Sequence, residues 1–256
     1  MSAELMIEAL QAKLREMGDQ DLAPVDVAVL DSGVDATHPD LQGRIAGMAK
    51  VVGEGKDTKA EEVPLGTNND AFGHGTAVAS IIARMAPNAR IHDMRVLGEG
   101  NVGAGDLLVE GLRVAVMAER PIINMSLAAT AKVSQQVFRL CEMAYRKNCL
   151  IVAAKRNVPF GDLGFPAEFS STVSVDNKSF PSPYDIAYQL GSVIEYAAHG
   201  EEVPVAAAGG GYTTMTGTSF ATPTISGICA LIKGVYPDLR PFEMKTLLKG
   251  FAVPAD

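Results

Sequence analysis

Up to about residue 155, the apolar residues fall into two alternating patterns. Short apolar runs rich in β-branched residues predict buried strands at residues 25–30, 89–97, 122–127 and 150–154. Between them, segments with helical spacing predict helices at residues 75–85, 106–120 and 133–147. Alternating strands and helices with short connections are typical of βαβ units. We therefore expect an α/β fold with three layers: a doubly wound, mostly parallel central sheet with helices on both faces.

The pattern changes after Pro159. Glycine, proline and short β-rich runs continue to Thr214 and predict loops and small strands, whereas residues 219–236 predict one long buried helix and residues 241–250 a terminal one. At the other end, apolar residues at helical spacing predict a short amphipathic helix within an N-terminal extension, residues 1–24. Because no repeat, linker or break in composition divides the chain, we expect a single domain over residues 1–256.

Composition narrows the class of protein. Lys and Arg number 22 and Asp and Glu 30, a formal net charge of −8, which argues against nucleic acid as the main partner because phosphate binding needs a basic surface. Hydrophobic residues at 47% and charged residues at 20% are ordinary values for a globular domain. No apolar run approaches the roughly 18 residues of a membrane span, so we expect no membrane partner.

The three cysteines are Cys141, Cys149 and Cys229, which cannot all pair within one chain. Their number fits a reducing compartment, and no cysteine–histidine cluster has zinc-site spacing. The first residues show neither the basic nor the apolar region of a secretory signal. We therefore expect a cytoplasmic location, or secretion if the chain is a processed fragment. The sequence leaves the oligomeric state open.

Polar residues that follow the strands carry the candidate chemistry, since reactants collect at the carboxyl ends of parallel strands. Asp31 follows the first strand, His74 lies between two glycines where a helix starts, and Ser219 lies at the start of the long apolar helix. Taken singly, each has a structural interpretation as a turn residue, a structural histidine or a helix cap. Together they form an ordered Asp, His, Ser set, and the helix N-terminus is a good place to stabilise an oxyanion.

Each of the three residues lies in a distinct local motif. The motifs are Val29–Val34 (VLDSGV) with His38–Leu41 (HPDL), Gly73–Ala79 (GHGTAVA) and Gly217–Pro223 (GTSFATP). In this order they resemble those of the subtilisin-like serine proteases (the subtilases, peptidase family S8), and the resemblance extends over about residues 25–248. It implies a subtilisin-like fold and a serine endopeptidase that hydrolyses peptide bonds through an acyl-enzyme.

The resemblance also implies a role for each residue. Ser219 would be the nucleophile and His74 the general base and acid, with Asp31 orienting the imidazole. Asn157 follows the strand at 150–154, in the place of the family's oxyanion-hole asparagine, although a loop turn residue is the alternative. No cofactor is implied. The segment where many relatives bind calcium is short here (83–90), so we expect no metal site there.

Family members bind extended peptides by pairing with their backbone, which implies a set of substrate contacts. The matching residues are Leu97, Asn101, Val102, Gly103, Gly105, Ser126, Leu127, Ala128, Ala129, Ala154, Lys155 and Arg156. Gly105 stands where relatives often have a bulky residue, which suggests an open S4 subsite. The pairs at 128–129 and 155–156 replace smaller residues in the S1 walls. We expect a restricted S1 pocket that favours a small or acidic residue, with solvated side chains at 155 and 156 as the alternative.

Two other functions remain open from the sequence. A catalytically silent relative that binds extended peptides is favoured by the altered S1 wall. A transpeptidase or cyclase would use the same acyl-enzyme, but no inserted segment that would exclude water is evident. A role in processing precursor peptides rests only on analogy with relatives.

Overall fold

A computed structural model gives the fold and describes residues 12, 13, 16, 22–157 and 164–253. The strands are β1 (Val25–Asp31), β2 (Ile45–Val52), β3 (Lys59–Glu62), β4 (Ala89–Arg95), β5 (Ile122–Met125), β6 (Leu150–Ala154), β7 (Val173–Lys178), β8 (Ile186–Tyr188), β9 (Tyr196–His199), β10 (Val203–Ala206) and β11 (Tyr212–Met215). The helices are α1 (His74–Met85), α2 (Gly105–Met117), α3 (Ser134–Arg146), α4 (Thr218–Val235) and α5 (Pro241–Phe251).

The middle layer is a nine-stranded sheet in the order β3-β2-β4-β1-β5-β6-β7-β9-β8. The strands from β2 to β9 in that order run parallel, and β3 and β8 pair antiparallel at the two edges. β10 and β11 form a separate antiparallel hairpin. The predicted mostly parallel sheet with flanking helices is confirmed.

Alternate residues of the central strands face opposite layers. In β1, Val27 and Val29 pack in the core beneath α1 and α4, whereas Ala28 and Leu30 pack in the core beneath α2 and α3. Burial on both faces explains why the strands read as continuous apolar runs rather than as alternating ones. α4 is buried along most of its length, which explains why its sequence is apolar all round.

The ends of the predicted helices and strands shift by a few residues. The helix predicted at 106–120 ends at Met117, because Glu119 adopts a left-handed backbone conformation (φ 51°) that a helix cannot continue. β2 and β3 were not predicted. The helix predicted near the N-terminus lies almost wholly outside the described residues. Among those that are described, no helix is both long enough and apolar enough to cross a membrane.

Candidate active site

Asp31 and His74 meet at the carboxyl end of the sheet. Asp31 is the last residue of β1 and His74 the first of α1, and His74 Nδ1 is hydrogen-bonded to Asp31 Oδ1 at 2.7 Å. Burial lowers the pKa of His74, but the charge of Asp31 and its hydrogen bond, with a contribution from the charge of Asp70, outweigh burial. The net result is a pKa raised above the usual 6.5, so the imidazole is a stronger base than a free histidine.

Two glycines let the segments that carry these side chains come close together. Gly33 has a left-handed backbone (φ 101°), and a Cβ on Gly75 would lie only 2.1 Å from the Gly33 carbonyl oxygen. Ser32 joins the same segments, since its hydroxyl accepts from the Gly75 N–H at 3.0 Å and donates to Asp70 Oδ1 at 2.7 Å. The turn after β1 and the start of α1 are therefore held as one unit.

Ser219 lies in the first turn of α4, next to Phe220, whose ring centroid is 5.3 Å from that of His74. Its hydroxyl donates to the Ser126 carbonyl at 3.0 Å, and within the described part of the chain no hydrogen bond joins it to the His74 ring. Rotation of the serine side chain would redirect the hydroxyl. Catalytic hydrogen bonds often form only when substrate is bound.

A buried chain of polar groups fixes the backbone of Ser219. Ser226 Oγ donates to Asn124 Oδ1 at 2.8 Å, and Asn124 Nδ2 donates to Ser126 Oγ at 3.1 Å. The Ser126 hydroxyl then donates to the Ser219 carbonyl at 2.8 Å. Because these groups satisfy one another inside the protein, they tie the start of α4 to the end of β5.

Asn157 lies just after β6, and its amide faces the N-terminus of α4. Thr218 Oγ is within hydrogen-bond distance of Asn157 Oδ1 at 3.0 Å, which leaves Asn157 Nδ2 as a donor. A Cβ on Gly217 would lie 3.4 Å from that nitrogen. The backbone N–H of Ser219 is one of the first-turn donors that a helix leaves unpaired. Two potential oxyanion donors are thus found at the same helix end.

The substrate-binding residues predicted from the sequence surround one cleft with a volume of about 360 Å³. All twelve line it, together with Asn157 and Ser219, whereas Asp31 and His74 do not. Further lining residues that the sequence did not indicate are Ala104, Leu108, Thr130 and Thr218. The end of β6, the segment after β5 and the segment before α2 therefore form the walls of one groove.

Two positions in the cleft differ from expectation. Val133 Cγ1 lies 2.6 Å from the point that a Cβ on Gly105 would occupy, so Val133 fills the direction of the missing side chain, while Gly105 itself lines the cleft. Lys155 is not simply solvated, because Lys155 Nζ donates to Asp176 Oδ2 at 2.7 Å and the side chain is only 28% exposed. Sequence reasoning had no means of finding either partner.

A protein-family model described as the subtilase family matches residues 24–253. The chain belongs to the subtilase family. The Asp31 and His74 segments, the start of α4 and the cleft all lie within the matched residues. Thr218 adjoins the serine in the GTSFATP motif, so its position was open to inference from the motif, although no role for it was predicted.

Individual subtilases and their structures give the same result. The chain is 31% identical over 255 residues to alkaline elastase YaB of Bacillus sp. (strain YaB), and 32% identical over 223 residues to an intracellular serine protease of Paenibacillus polymyxa. These alignments cover 96% and 82% of the chain but 64% and 66% of the relatives, so the chain spans just under two thirds of their length. The crystal structure of a cold-adapted subtilisin-like serine proteinase matches with a TM-score of 0.73 at 26% identity, covering 89% of this chain and 81% of that one.

Proposed function

We propose that this subtilase is a serine endopeptidase with Ser219 as nucleophile, His74 as general base and acid, Asp31 as the residue that orients His74, and Asn157 in the oxyanion hole. The observation that supports this most directly is the 2.7 Å contact between Asp31 and the His74 ring, beside the first turn of α4. A carboxylate on Nδ1 holds the proton there, which leaves Nε2 able to accept a proton from a serine.

The reaction follows from these positions. As Ser219 Oγ attacks the peptide carbonyl carbon, its proton passes to His74 Nε2 and the carbonyl electron pair moves onto oxygen. That oxyanion accepts hydrogen bonds from the Ser219 N–H and Asn157 Nδ2. The C–N bond then breaks, and His74 returns the proton to the leaving amine. Water, activated by His74, attacks the ester, and the carboxylic product leaves as Ser219 regains its proton.

A fluorophosphonate probe and a peptide substrate test the nucleophile. The protein should be labelled covalently, and Ser219→Ala should lose both labelling and hydrolysis. Ser134→Ala is the matched control, since Ser134 also lies in the first turn of a helix and its hydroxyl donates to the nearby Ala131 carbonyl at 2.9 Å. Full hydrolysis by Ser219→Ala would refute the proposal.

The oxyanion hole has its own test. Asn157→Ala should lower kcat by about 10²–10³-fold with little change in KM, because the donor acts on charge that develops only in the transition state. An unchanged kcat would remove Asn157 from the mechanism.

A narrow S1 pocket that favours a small or acidic P1 residue belongs to the same proposal. A Cβ on Gly164 would lie 2.7 Å from Ala128 Cβ and 3.0 Å from Arg156 Cβ, so these two cleft-lining side chains lie close to the same stretch of backbone. Peptide-library profiling should show poor cleavage after large aromatic residues, and Arg156→Gly should improve it. A wild-type preference for aromatic P1 residues would contradict this.

A cytoplasmic processing protease is the setting that we propose. The three cysteines are buried and unpaired, as in proteins of reducing compartments, and one relative is named as an intracellular serine protease. Cell fractionation with an antibody would test the location. Recovery mainly outside the cell would contradict it.

A second candidate function is extended-peptide binding without catalysis. It is favoured by the hydrogen bond that turns the Ser219 hydroxyl to Ser126 rather than to His74. A folded wild-type protein that resists the fluorophosphonate probe yet binds extended peptides would support it over the hydrolase.

A further inference from the structure

The segment that presents Asn157 starts with an ion pair between neighbouring strands. β6 and β7 pair in register up to Ala154 and Val175, so Lys155 and Asp176 are the next residues opposite each other. The Lys155 N–H donates to the Val175 carbonyl at 2.9 Å, and its ammonium donates to Asp176 Oδ2 at 2.7 Å. Lys155 is thus anchored to β7 through both its backbone and its side chain.

The same residue is linked to the amide of Asn157. Thr218 Oγ lies 2.7 Å from the Lys155 carbonyl oxygen and 3.0 Å from Asn157 Oδ1. Both oxygens are acceptors and the hydroxyl has a single proton, so the backbone at 155 and the side chain at 157 share that proton. A shift of the Lys155 carbonyl would move this hydroxyl or change how its proton is shared, and the orientation of the Asn157 amide would change with it.

We propose that the Lys155–Asp176 ion pair is a positioning device for Asn157 that keeps Nδ2 aimed at the developing oxyanion. This role rests on the proposed hydrolase function. The side chains are 28% and 23% exposed, and pairs that water reaches contribute little to folding stability. A displacement of about 1 Å in a catalytic group can nevertheless cost ~10²-fold in rate. The pair therefore has more effect on geometry than on the stability of the fold.

Kinetics of Lys155→Met provide the first test. We expect kcat to fall about tenfold with KM nearly unchanged, since the oxyanion exists only along the reaction path. Lys147→Met is the matched control: Lys147 pairs with Glu119 at 2.6 Å and is 32% exposed, but it precedes β6 whereas Lys155 follows it, and it is not among the residues that line the cleft. The control should keep full kcat.

A double-mutant cycle separates positioning from general damage. If Lys155 acts through Asn157, then Lys155→Met should cost little further activity in an Asn157→Ala background. An undiminished loss in that background would overturn the proposal, as would a Lys155→Met enzyme with wild-type kcat.

Asp176→Asn separates positioning from a direct effect of charge. A positioning pair predicts that Asp176→Asn lowers kcat as Lys155→Met does, whereas a lysine that stabilised the oxyanion by its own charge would act more strongly once Asp176 was neutralised. The reversed pair, Lys155→Asp with Asp176→Lys, should recover part of the activity. An increase in kcat for Asp176→Asn would refute positioning. Loss of the hydrolase proposal would instead show as a wild-type protein that neither hydrolyses peptides nor reacts with the probe.

Discussion

Asp93 is a buried carboxyl group on β4 that the proposed mechanism does not use. It is only 2% exposed, and Asp93 Oδ2 accepts a hydrogen bond from Asn69 Nδ2 at 2.6 Å. Burial, reinforced by the carboxylates of Asp70 and Asp31, raises the pKa of Asp93 to about 8, although the Asn69 hydrogen bond opposes the shift. At neutral pH the folded protein therefore keeps this group protonated.

The raised pKa has a definite effect on stability. In the unfolded chain an aspartate loses its proton near pH 3.8, so between about pH 4 and pH 8 only the folded state holds it. The free energy of unfolding should fall across this window as pH rises, by at most about 5 kcal/mol, because each unit of pKa difference is worth about 1.4 kcal/mol. Asp93→Asn retains an oxygen acceptor for Asn69 and cannot ionise. We expect it to be more stable than the parent near pH 8 by several kcal/mol, and little changed near pH 4.

Urea unfolding followed by circular dichroism measures this effect, with Ser219→Ala as the parent to prevent self-digestion. The control is Asp106→Asn: the pKa of Asp106 is lowered, chiefly by the N–H of Gly55, so its replacement should bring no gain as pH rises. Equal stability changes for Asp93→Asn at both ends of the pH range would show that ionisation at this position does not limit stability.

Three other predictions follow from features described above. The acidic limb of the pH profile of kcat/KM should have its midpoint above pH 6.5, because a protonated His74 cannot act as a base and the pKa of His74 is raised. Asp70→Asn removes a charge that raises this pKa, so it should shift the midpoint to lower pH, whereas a wild-type midpoint below 6.5 would contradict the assigned electrostatics. Gly33→Ala should lower the free energy of unfolding, measured with heat or urea, by more than about 3 kcal/mol, since its Cβ would lie 2.1 Å from the Asn69 carbonyl oxygen. Gly43→Ala is the control, with nothing within 4 Å of its Cβ, and should lower it by only about 1–2 kcal/mol because of its positive φ. The three buried cysteines have pKa values raised to about 11 or 12 by burial, so a thiol reagent should label them only after unfolding; rapid labelling of the native protein would be the contrary result.

Strands buried on both faces were predictable from sequence because their apolar runs are local signals. β2 and β3 were not, since β2 contains glycine and alanine and β3 reads as a charged tetrapeptide, KAEE, typical of an exposed segment. β3 is an edge strand, where charged side chains are common because they discourage pairing with other chains. Only its pairing with β2 identifies it as a strand.

In the candidate site, too, residues in local motifs could be predicted from sequence, whereas contacts between distant segments could not. Asp31, His74 and Ser219 could be predicted because each lies in a short motif, and Asn157 because it follows a recognisable strand. The partner of Lys155 could not be found in this way, since Asp176 becomes its neighbour only through the register of β6 and β7. The filling of the space at Gly105 by Val133 likewise depends on packing between segments distant in sequence.

The central position of α4 bears on how the protein is made. This helix covers one face of the sheet and carries Ser219, yet it follows every strand of the nine-stranded sheet along the chain. On the ribosome, where synthesis proceeds at about 5–20 residues per second, the strands that α4 covers are made before it. Their apolar faces therefore stay uncovered until α4 has been synthesised. Folding of that layer and assembly of the proposed catalytic groups should therefore occur together, once α4 has been synthesised.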